Sequence, residues 1–514
     1  MARALLLGCL IVSFACSKGP QPPNVLIVSM DSLRVDHLGI YGHKAEFAPE
    51  LEVSPHVDSI GQRGVVFDSA WSTTSWTLPS HMALLTGLSD RVHGVETEQF
   101  QLDPLRKTLA ESFQAAGYQT AGFYSGPYLD PRYGFGRGFD SYEYAVPDSE
   151  LEDLPSVRTG AEAVISSPTV SARGINFLER TKDEPFFLFL HYFDAHFDYV
   201  PDEAEVGLAK RFDPNYQGEF SGHDWYRDPR VRDPRPPHGR RIKERDLAHV
   251  KALYDSEINW VDRHIGMVLD KLRDSGLEEN TVVVFLGDHG DEFFEHDSIG
   301  HCSTLYTELT HIPMMMMGPG VPVGKRVAQT VRIFDLAPTV MDLAGVTPFQ
   351  TVEGISLTKA WSETPAPRPG AFSRVYIPHP NKPFNIREAW RKGRFSVLRT
   401  FRQASANGKL QPYIYSQIQT PFMVFDREKD PGEHFPLHPK DPRFRLALKA
   451  YGEDFSAAES FANKFRWSPF EDRLAEEVGE DESSLLEQLG YVSQGHGDQP
   501  LHPSLGALPS PSIP

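Results

Sequence analysis

The chain has 514 residues, with 70 Asp and Glu against 51 Lys and Arg and a formal net charge of −19. That balance excludes nucleic acid as the expected partner, because phosphate backbones need a basic face; it still allows an anionic substrate held at a local cation. Of three cysteines, Cys9 and Cys16 lie in the leader and only Cys302 in the body, which excludes a disulfide framework and a Cys-based zinc site. The length accommodates one large α/β domain and a smaller one.

The leader places Arg3 before an apolar run from Ala4 to Ala15, too short to cross a bilayer and suited to a signal-peptide core. Residues 1–16 end in Ser-Phe-Ala-Cys and are followed by a polar, Pro-rich tether, 17–23. The segment resembles a bacterial lipoprotein signal, with Cys16 as a lipid anchor and the only membrane contact; plain secretion is the alternative. Both readings put the protein outside the cytoplasm, periplasmic or attached to the outer membrane.

In chain order, Asn24 to Met30 is a short β-branched run typical of a buried parallel strand, and Asp31 ends it. Ser72 to Gly87 opens with five hydroxyls, Ser72, Thr73, Thr74, Ser75 and Thr77. After Pro79, Ser80 reads as the N-cap of a helix running to Leu85. Thr77 then precedes the positive end of a helix, which suits an anionic group. Pro104 to Ala116 and Ala248 to Leu272 carry apolar residues at helical spacing. Pro185 to Tyr199 is an apolar strand that empties into His191, Asp194, His196 and Asp198, and Thr281 to Gly290 ends in Asp288-His289, with His301 following. Met314 to Met317 reads as core packing. Strands alternating with helices predict an α/β fold, a large mostly parallel sheet flanked by helices. Its carboxyl edge would gather Asp31, Thr77, Asp194, His196, Asp288, His289 and His301.

These residue types suit ester hydrolysis. Asp31, Asp288 and His289 are oxygen and imidazole ligands for a divalent ion such as Ca, Mg, Mn or Zn. A cation beside Thr77 would activate its hydroxyl as a nucleophile. His196 and His301 could hold the anionic group or protonate the leaving oxygen.

At this point the sequence resembles the sulfatase branch of the alkaline phosphatase superfamily. The matching pieces include Asn24-Val-Leu-Ile-Val, Leu38-Gly-Ile-Tyr-Gly42, Pro55 to Phe67, Thr77 to Gly87, Gly287-Asp-His-Gly290, Asp335-Leu-Ala-Pro-Thr339 and Phe425 to Glu433. The resemblance implies an alkaline phosphatase-like domain over 24–370 and metal ligation by Asp31, Asp288, His289 and Thr77, with one metal rather than two. It also implies Thr77 at the nucleophile position and substrate contacts from His196 and, nearby, His301. His81 stands where the family usually has Arg and, with Asp194, is taken as substrate-binding. Ser32 replaces the second carboxylate of the metal pair, and Thr77 replaces the Cys or Ser that becomes formylglycine. A Thr ester lacks the second hydroxyl of a formylglycine hydrate, so water must attack the central atom. This favours phosphoester or phosphodiester chemistry over sulfate ester hydrolysis, on a small-molecule, glycan or lipid-headgroup ester; a catalytically inactive binding protein of the same fold is the alternative.

The basic, Pro-rich stretch from Arg227 to Arg245 reads as a solvated loop or a lid for an anionic substrate, and Glu143 to Ser167 as an acidic loop. Residues 371–470 read as a C-terminal α+β subdomain, a small antiparallel sheet turning at Lys392-Gly393 with a helix near Arg443 to Ala458. A terminal helix is expected within 471–493, at Ser483 to Val492, and a disordered tail over 494–514.

Overall fold

The computed structural model describes residues 21–476 except 146–164, 182–183, 224, 226–227, 229–230, 234–238, 349, 363–364, 378–384, 407–408, 416–421 and 470. The leader, the terminal helix and the tail therefore lie outside the described residues, as do much of the acidic loop and of the basic stretch.

Eight strands form the main sheet: β1 (Asn24–Met30), β2 (Val65–Phe67), β3 (Gln119–Tyr124), β4 (Ser141–Tyr144), β5 (Phe186–Tyr192), β6 (Thr281–Gly287), β7 (Met314–Met317) and β8 (Lys325–Val327). Their order is β8-β2-β7-β6-β1-β5-β3-β4. All pairs are parallel except those of β7, the four-Met strand, which runs antiparallel to β2 and β6. Strands β1, β5, β6 and β7 are buried along their whole length. Because they are covered on both faces, they read as continuous apolar runs rather than alternating ones.

Alternate residues of these strands feed two cores. Val25, Ile27, Phe187, Phe189, Val282 and Val284 meet α2 (Thr77–Thr86), α3 (Leu109–Ala115) and α6 (Leu336–Ala344). Leu26, Val28, Leu188, Leu190, Val283 and Phe285 meet α1 (Pro55–Gln62), α4 (Ser167–Arg180) and α5 (Glu244–Asp274). Each such side chain contributes about 1.5–3 kcal/mol on burial, so the centre of the sheet is the stiffest platform in the chain.

Two expected helix starts move. The stretch expected from Pro104 begins as a helix only after Thr108, whose side chain accepts from the amide of Glu111 while Glu111 answers the amide of Thr108; this capping box sets the boundary. Ser80 is not an N-cap. Helix α2 starts at Thr77 behind an extended Trp76, since Pro is tolerated in a first turn, where its missing N–H is not needed. Ser80 instead donates its hydroxyl to the Asp288 carbonyl at 2.8 Å.

The smaller subdomain is an antiparallel sheet of β9 (Ala371–Ile377), β10 (Asn385–Lys392), β11 (Phe395–Ala406), β12 (Lys409–Tyr415) and β13 (Met423–Asp426). Gly393, at φ 54°, makes the β10–β11 turn. Helix α7 (Pro442–Ala462) packs Phe444, Leu448, Tyr451 and Phe455 onto Trp390, Val397 and Val424. Two contacts press this sheet against the hydroxyl-rich loop: Ser373 Oγ donates to the Ser72 carbonyl at 2.6 Å, and the Arg374 amide to that of Thr73 at 2.7 Å. Glu388 in β10 ties the two units together. Its carboxylate meets Arg399 at 2.8 Å, the Tyr451 hydroxyl at 2.7 Å, and Arg91 from the main domain.

Candidate active site

The sheet register builds the site. Met30 pairs with Gly287 and with Tyr192, so Asp31 and Asp288 leave neighbouring parallel strands side by side at the carboxyl edge, where open α/β sheets bind ligands. Helix α2 delivers Thr77 to the same point as its first residue, with the positive end of the helix dipole behind it.

Thr77 Oγ donates to Asp31 Oδ2 at 3.1 Å and lies 3.3 Å from His289 Nε2. His289 Nε2 is 3.7 Å from Asp31 Oδ1 and 3.4 Å from Asp288 Oδ2. His289 Nδ1–H donates to the Gly290 carbonyl at 3.1 Å, which turns the Nε2 lone pair toward the carboxylates. Asp288 Oδ1 accepts from the amides of Ser32 and His289, whereas Oδ2 is buried and accepts no hydrogen bond. A buried carboxylate oxygen without a donor is costly and marks where a cation fits. The 3.1–3.7 Å spacings among these atoms fall within the roughly 2.8–3.9 Å expected between neighbouring octahedral or tetrahedral ligands 2.0–2.4 Å from one ion.

The electrostatics agree with that arrangement. Burial would raise the Asp31 carboxyl, but the hydrogen bond from His191 and the charges of His196 and His289 outweigh it and hold the group well below the usual carboxylate range. Asp288 goes the other way, pushed up to about 8 by burial and by the charge of Asp31. Two carboxylates forced together in a dry pocket need a positive partner.

Four expected residues, Asp31, Thr77, Asp288 and His289, thus share one point. His301 and His196 border it. The His301 ring lies 4.6 Å from that of His289 and 5.0 Å from that of His196. Burial lowers the His196 pKa to about 4, so this ring is neutral at pH 7. The remaining two are engaged inside the protein. His81 Nδ1–H donates to the Thr77 carbonyl at 3.0 Å and Nε2 meets Ser29 Oγ at 2.9 Å, so both nitrogens hold the scaffold rather than an ester oxygen. Burial lowers its pKa to about 3, so it carries no charge of the kind an Arg would bring. Asp194 accepts from Ser166 N and Oγ, Ser167 N and Trp260 Nε1, all within 3.1 Å, and thereby ties the start of α4 to β5 and α5.

Three further residues contribute to the site, of which the sequence named His191 and Ser32 without assigning them a role there and did not name Asp291. His191, level with Ser29 in the register, places Nε2 3.2 Å from Asp31 Oδ2. Asp291 accepts from His301 Nδ1 at 2.6 Å and from the Tyr199 hydroxyl at 2.7 Å, which fixes the ring. Ser32, at φ 55°, donates its hydroxyl to Asp31 Oδ1 at 2.9 Å and its amide to Asp288, so it links the two carboxylates where the family has a third. His191 sits one residue before the end of β5 and Asp291 four residues after the end of β6, which was the available signal. Cys302 lies nearby, its amide bonded to the Ser75 carbonyl, but burial and surrounding carboxylates push its thiol up, away from nucleophilic use. A second ligand-type group, His37, His43 and Asp255, has contacts of 2.6 and 2.9 Å that are hydrogen bonds from both rings to one carboxylate.

This α/β sheet with its carboxyl-edge Asp, His and Thr cluster and its small antiparallel subdomain is an alkaline phosphatase-like architecture. The family model described as Sulfatase matches residues 23–346, and the chain belongs to that family. It is a hydrolase of sulfuric or phosphoric ester bonds. The chain is 24% identical to human arylsulfatase K over 68% of each sequence. It is also 24% identical to a Delta 4,5-hexuronate-2-O-sulfatase of Bacteroides thetaiotaomicron, over 84% of this chain and 88% of that protein. Among solved structures, a 2-O GAG sulfatase superposes with a TM-score of 0.64 at 20% identity, covering 87% of this chain and 95% of that one. A phosphonate monoester hydrolase of Agrobacterium radiobacter gives 0.61 at 20%, covering 86% and 96%.

Proposed function

We propose that the chain hydrolyses sulfate or phosphate esters outside the cytoplasm, with Thr77 as nucleophile and one divalent ion (Ca, Mg, Mn or Zn) held by Asp31, Asp288, His289 and Thr77. Phosphorus chemistry is favoured. The observation that carries this reading is the Thr77 hydroxyl at a helix N-terminus, between Asp31 Oδ2 and His289 Nε2 and beside a carboxylate oxygen that accepts no hydrogen bond. Bound there, the ion supplies Lewis-acid charge that eases ionisation of the hydroxyl and offsets charge on the transferred group. Asp31, which stays ionised, orients the Thr77 hydroxyl by accepting its hydrogen bond at Oδ2, and the proton passes to water. Thr77 Oγ then attacks phosphorus or sulfur in line, and the bond to the leaving oxygen breaks. His301, held at Nδ1 by Asp291, hands a proton to the departing alcohol, while His196, neutral at pH 7, contacts the bound ester. Water attacks the central atom of the Thr77 ester, releases the anion and restores the hydroxyl.

The relatives' names direct the choice of substrates toward sulfated hexuronates and phosphonate monoesters. Export through residues 1–16, with or without a lipid on Cys16, belongs to the same proposal. The test is a panel of aryl sulfates, phosphates, phosphodiesters and phosphonates, each with Ca, Mg, Mn and Zn, and mass spectrometry of quenched enzyme for a phosphoryl or sulfuryl group on Thr77. Metal retention without turnover of any ester supports the second reading, an inactive binding protein of the family, for which Ser32 and His81 at two functional positions are the motivating observation.

A further inference from the structure

Beside the nucleophile lies a second binding feature that the reaction itself does not use. A cleft of about 560 Å³ opens between the His301–Tyr306 loop and the C-terminal sheet; His301, Thr304, Tyr306, Arg387, Arg399 and Met423 are among its walls. His301 belongs both to this cleft and to the catalytic cluster, with its ring 4.6 Å from that of His289, so the cleft adjoins the cluster across that ring.

Arg387 on β10 is out of keeping with its neighbours. In the same sheet Arg374 meets Glu96 at 3.0 Å, Arg391 meets Glu433 at 2.9 Å and Arg399 meets Glu388 at 2.8 Å; Arg394, at the turn, pairs with Asp426. Arg387 is half-buried, and among the described residues no carboxylate lies within ion-pair distance of it. Its hydrogen bond runs from Nη1 to the Ser303 carbonyl at 2.5 Å. Its pKa is lowered, with burial the first cause, since the nearby Tyr306 and Glu292 do not make up the loss. Glu292 is only partly ionised at pH 7, because burial pushes its carboxyl up to about 7, and Thr304 binds it at 2.7 Å. A guanidinium taken part-way out of water with no paired carboxylate is unfavourable unless a ligand brings one, and its planar fork is shaped for carboxylate, sulfate or phosphate.

We propose that Arg387 is the anchor for a second anionic group on the substrate, so that the enzyme selects esters whose non-reacting part carries a carboxylate or a further sulfate or phosphate. The inference rests on the ester-hydrolase reading for the word substrate, but the cleft's preference for a second anion is measurable as binding alone. The guanidinium orients the bound molecule from the C-terminal sheet while the reacting ester group points past His301 toward Thr77. Specificity is thereby assigned to the subdomain, and chemistry to the sheet edge.

The experiment is isothermal titration calorimetry of the full-length metal-loaded protein with three heparin-derived disaccharides. One carries a uronate carboxylate and one sulfate, one is carboxyl-reduced with one sulfate, and one is carboxyl-reduced with two sulfates. The wild type is expected to bind the first or the third, or both, at least tenfold more tightly than the second; which of them gains identifies the source of the anion. Arg387→Met should cut that gain below about threefold, and Arg387→Lys, which keeps the charge without the fork, should restore part of it. Thermal unfolding of both variants separates loss of the anchor from loss of the fold. Equal affinity for all three disaccharides in the wild type overturns the proposal, and so does a gain that survives in Arg387→Met. If Thr77 proves not to be the nucleophile, these affinities are unaffected, so the two readings fail separately.

Discussion

Replacing Thr77 by Val removes one hydroxyl and keeps the β-branched shape in a fully packed first helical turn. The hydroxyl makes one hydrogen bond to Asp31 Oδ2 at 3.1 Å and approaches His289 Nε2 at 3.3 Å. Asp31 keeps the Ser32 hydroxyl on Oδ1 at 2.9 Å and His191 on Oδ2 at 3.2 Å, so neither of its oxygens is stranded. The expected loss of stability is that of one exchanged hydrogen bond, about 0.5–1.5 kcal/mol, a shift of a few degrees at most in Tm. Turnover should fall far more, by about 10⁴–10⁶ in kcat, because among the described residues no other hydroxyl is bonded to Asp31 Oδ2 beside His289. Thr77→Ser, which retains the hydroxyl, should stay within about tenfold of wild type. The assay is kcat on the best aryl ester at saturating metal, with thermal unfolding of each variant beside it. A Thr77→Val protein with kcat within tenfold of wild type refutes the assignment of the nucleophile. One that unfolds at room temperature shows that Thr77 serves the fold instead.

Other outcomes follow from the same geometry. Removal of metal by chelation should abolish turnover reversibly. Asp288→Asn, which alters the carboxylate oxygen that accepts no hydrogen bond, should leave metal content by mass spectrometry well under one equivalent; full retention would move the metal elsewhere. Asp291→Asn weakens the 2.6 Å hold on His301 and should lower kcat by about 10²–10⁴ for alkyl esters but much less for nitrophenyl esters, which need no proton on departure. An equal loss across leaving groups would remove His301 as the acid. Glu388 is fully buried, and burial would raise its carboxyl, but Arg399, Arg91 and Arg374 bring it down to about 2 from the usual 4.5. A depressed carboxylate stabilises the fold above its unfolded value, so about 3 kcal/mol present above pH 5 should be lost as pH falls from 4.5 toward 2. Denaturation at stepped pH should show this fall, and Glu388→Gln should flatten it.

The sequence by itself determined the sheet and the chemical types at its edge. Runs such as Asn24–Met30 and Thr281–Gly287 are apolar throughout because both faces are covered, and a polar residue directly after such a run must emerge at a strand end. That local rule located Asp31, Asp288 and His289, and the spacing of the motifs carried the family. It also found the four-Met strand as core and the turn at Gly393.

Tertiary structure decided which of those residues meet, since this depends on register and on contacts distant in sequence. Asp194 and His196 are two residues apart, yet Asp194 is drawn to Ser166 and Trp260 while His196 lies beside His301. His81 keeps the position of a substrate-binding residue, but Ser29 and the Thr77 carbonyl take both its nitrogens. Helix α2 starts four residues earlier than an N-cap at Ser80 implies, which moves Thr77 from just before the helix to its first residue. Among the five hydroxyls of Ser72 to Thr77 the sequence singled out Thr77 by its place before a helix and by the resemblance; the meeting of β1, β6 and α2 supplies the physical reason, because its oxygen reaches Asp31 and His289 together.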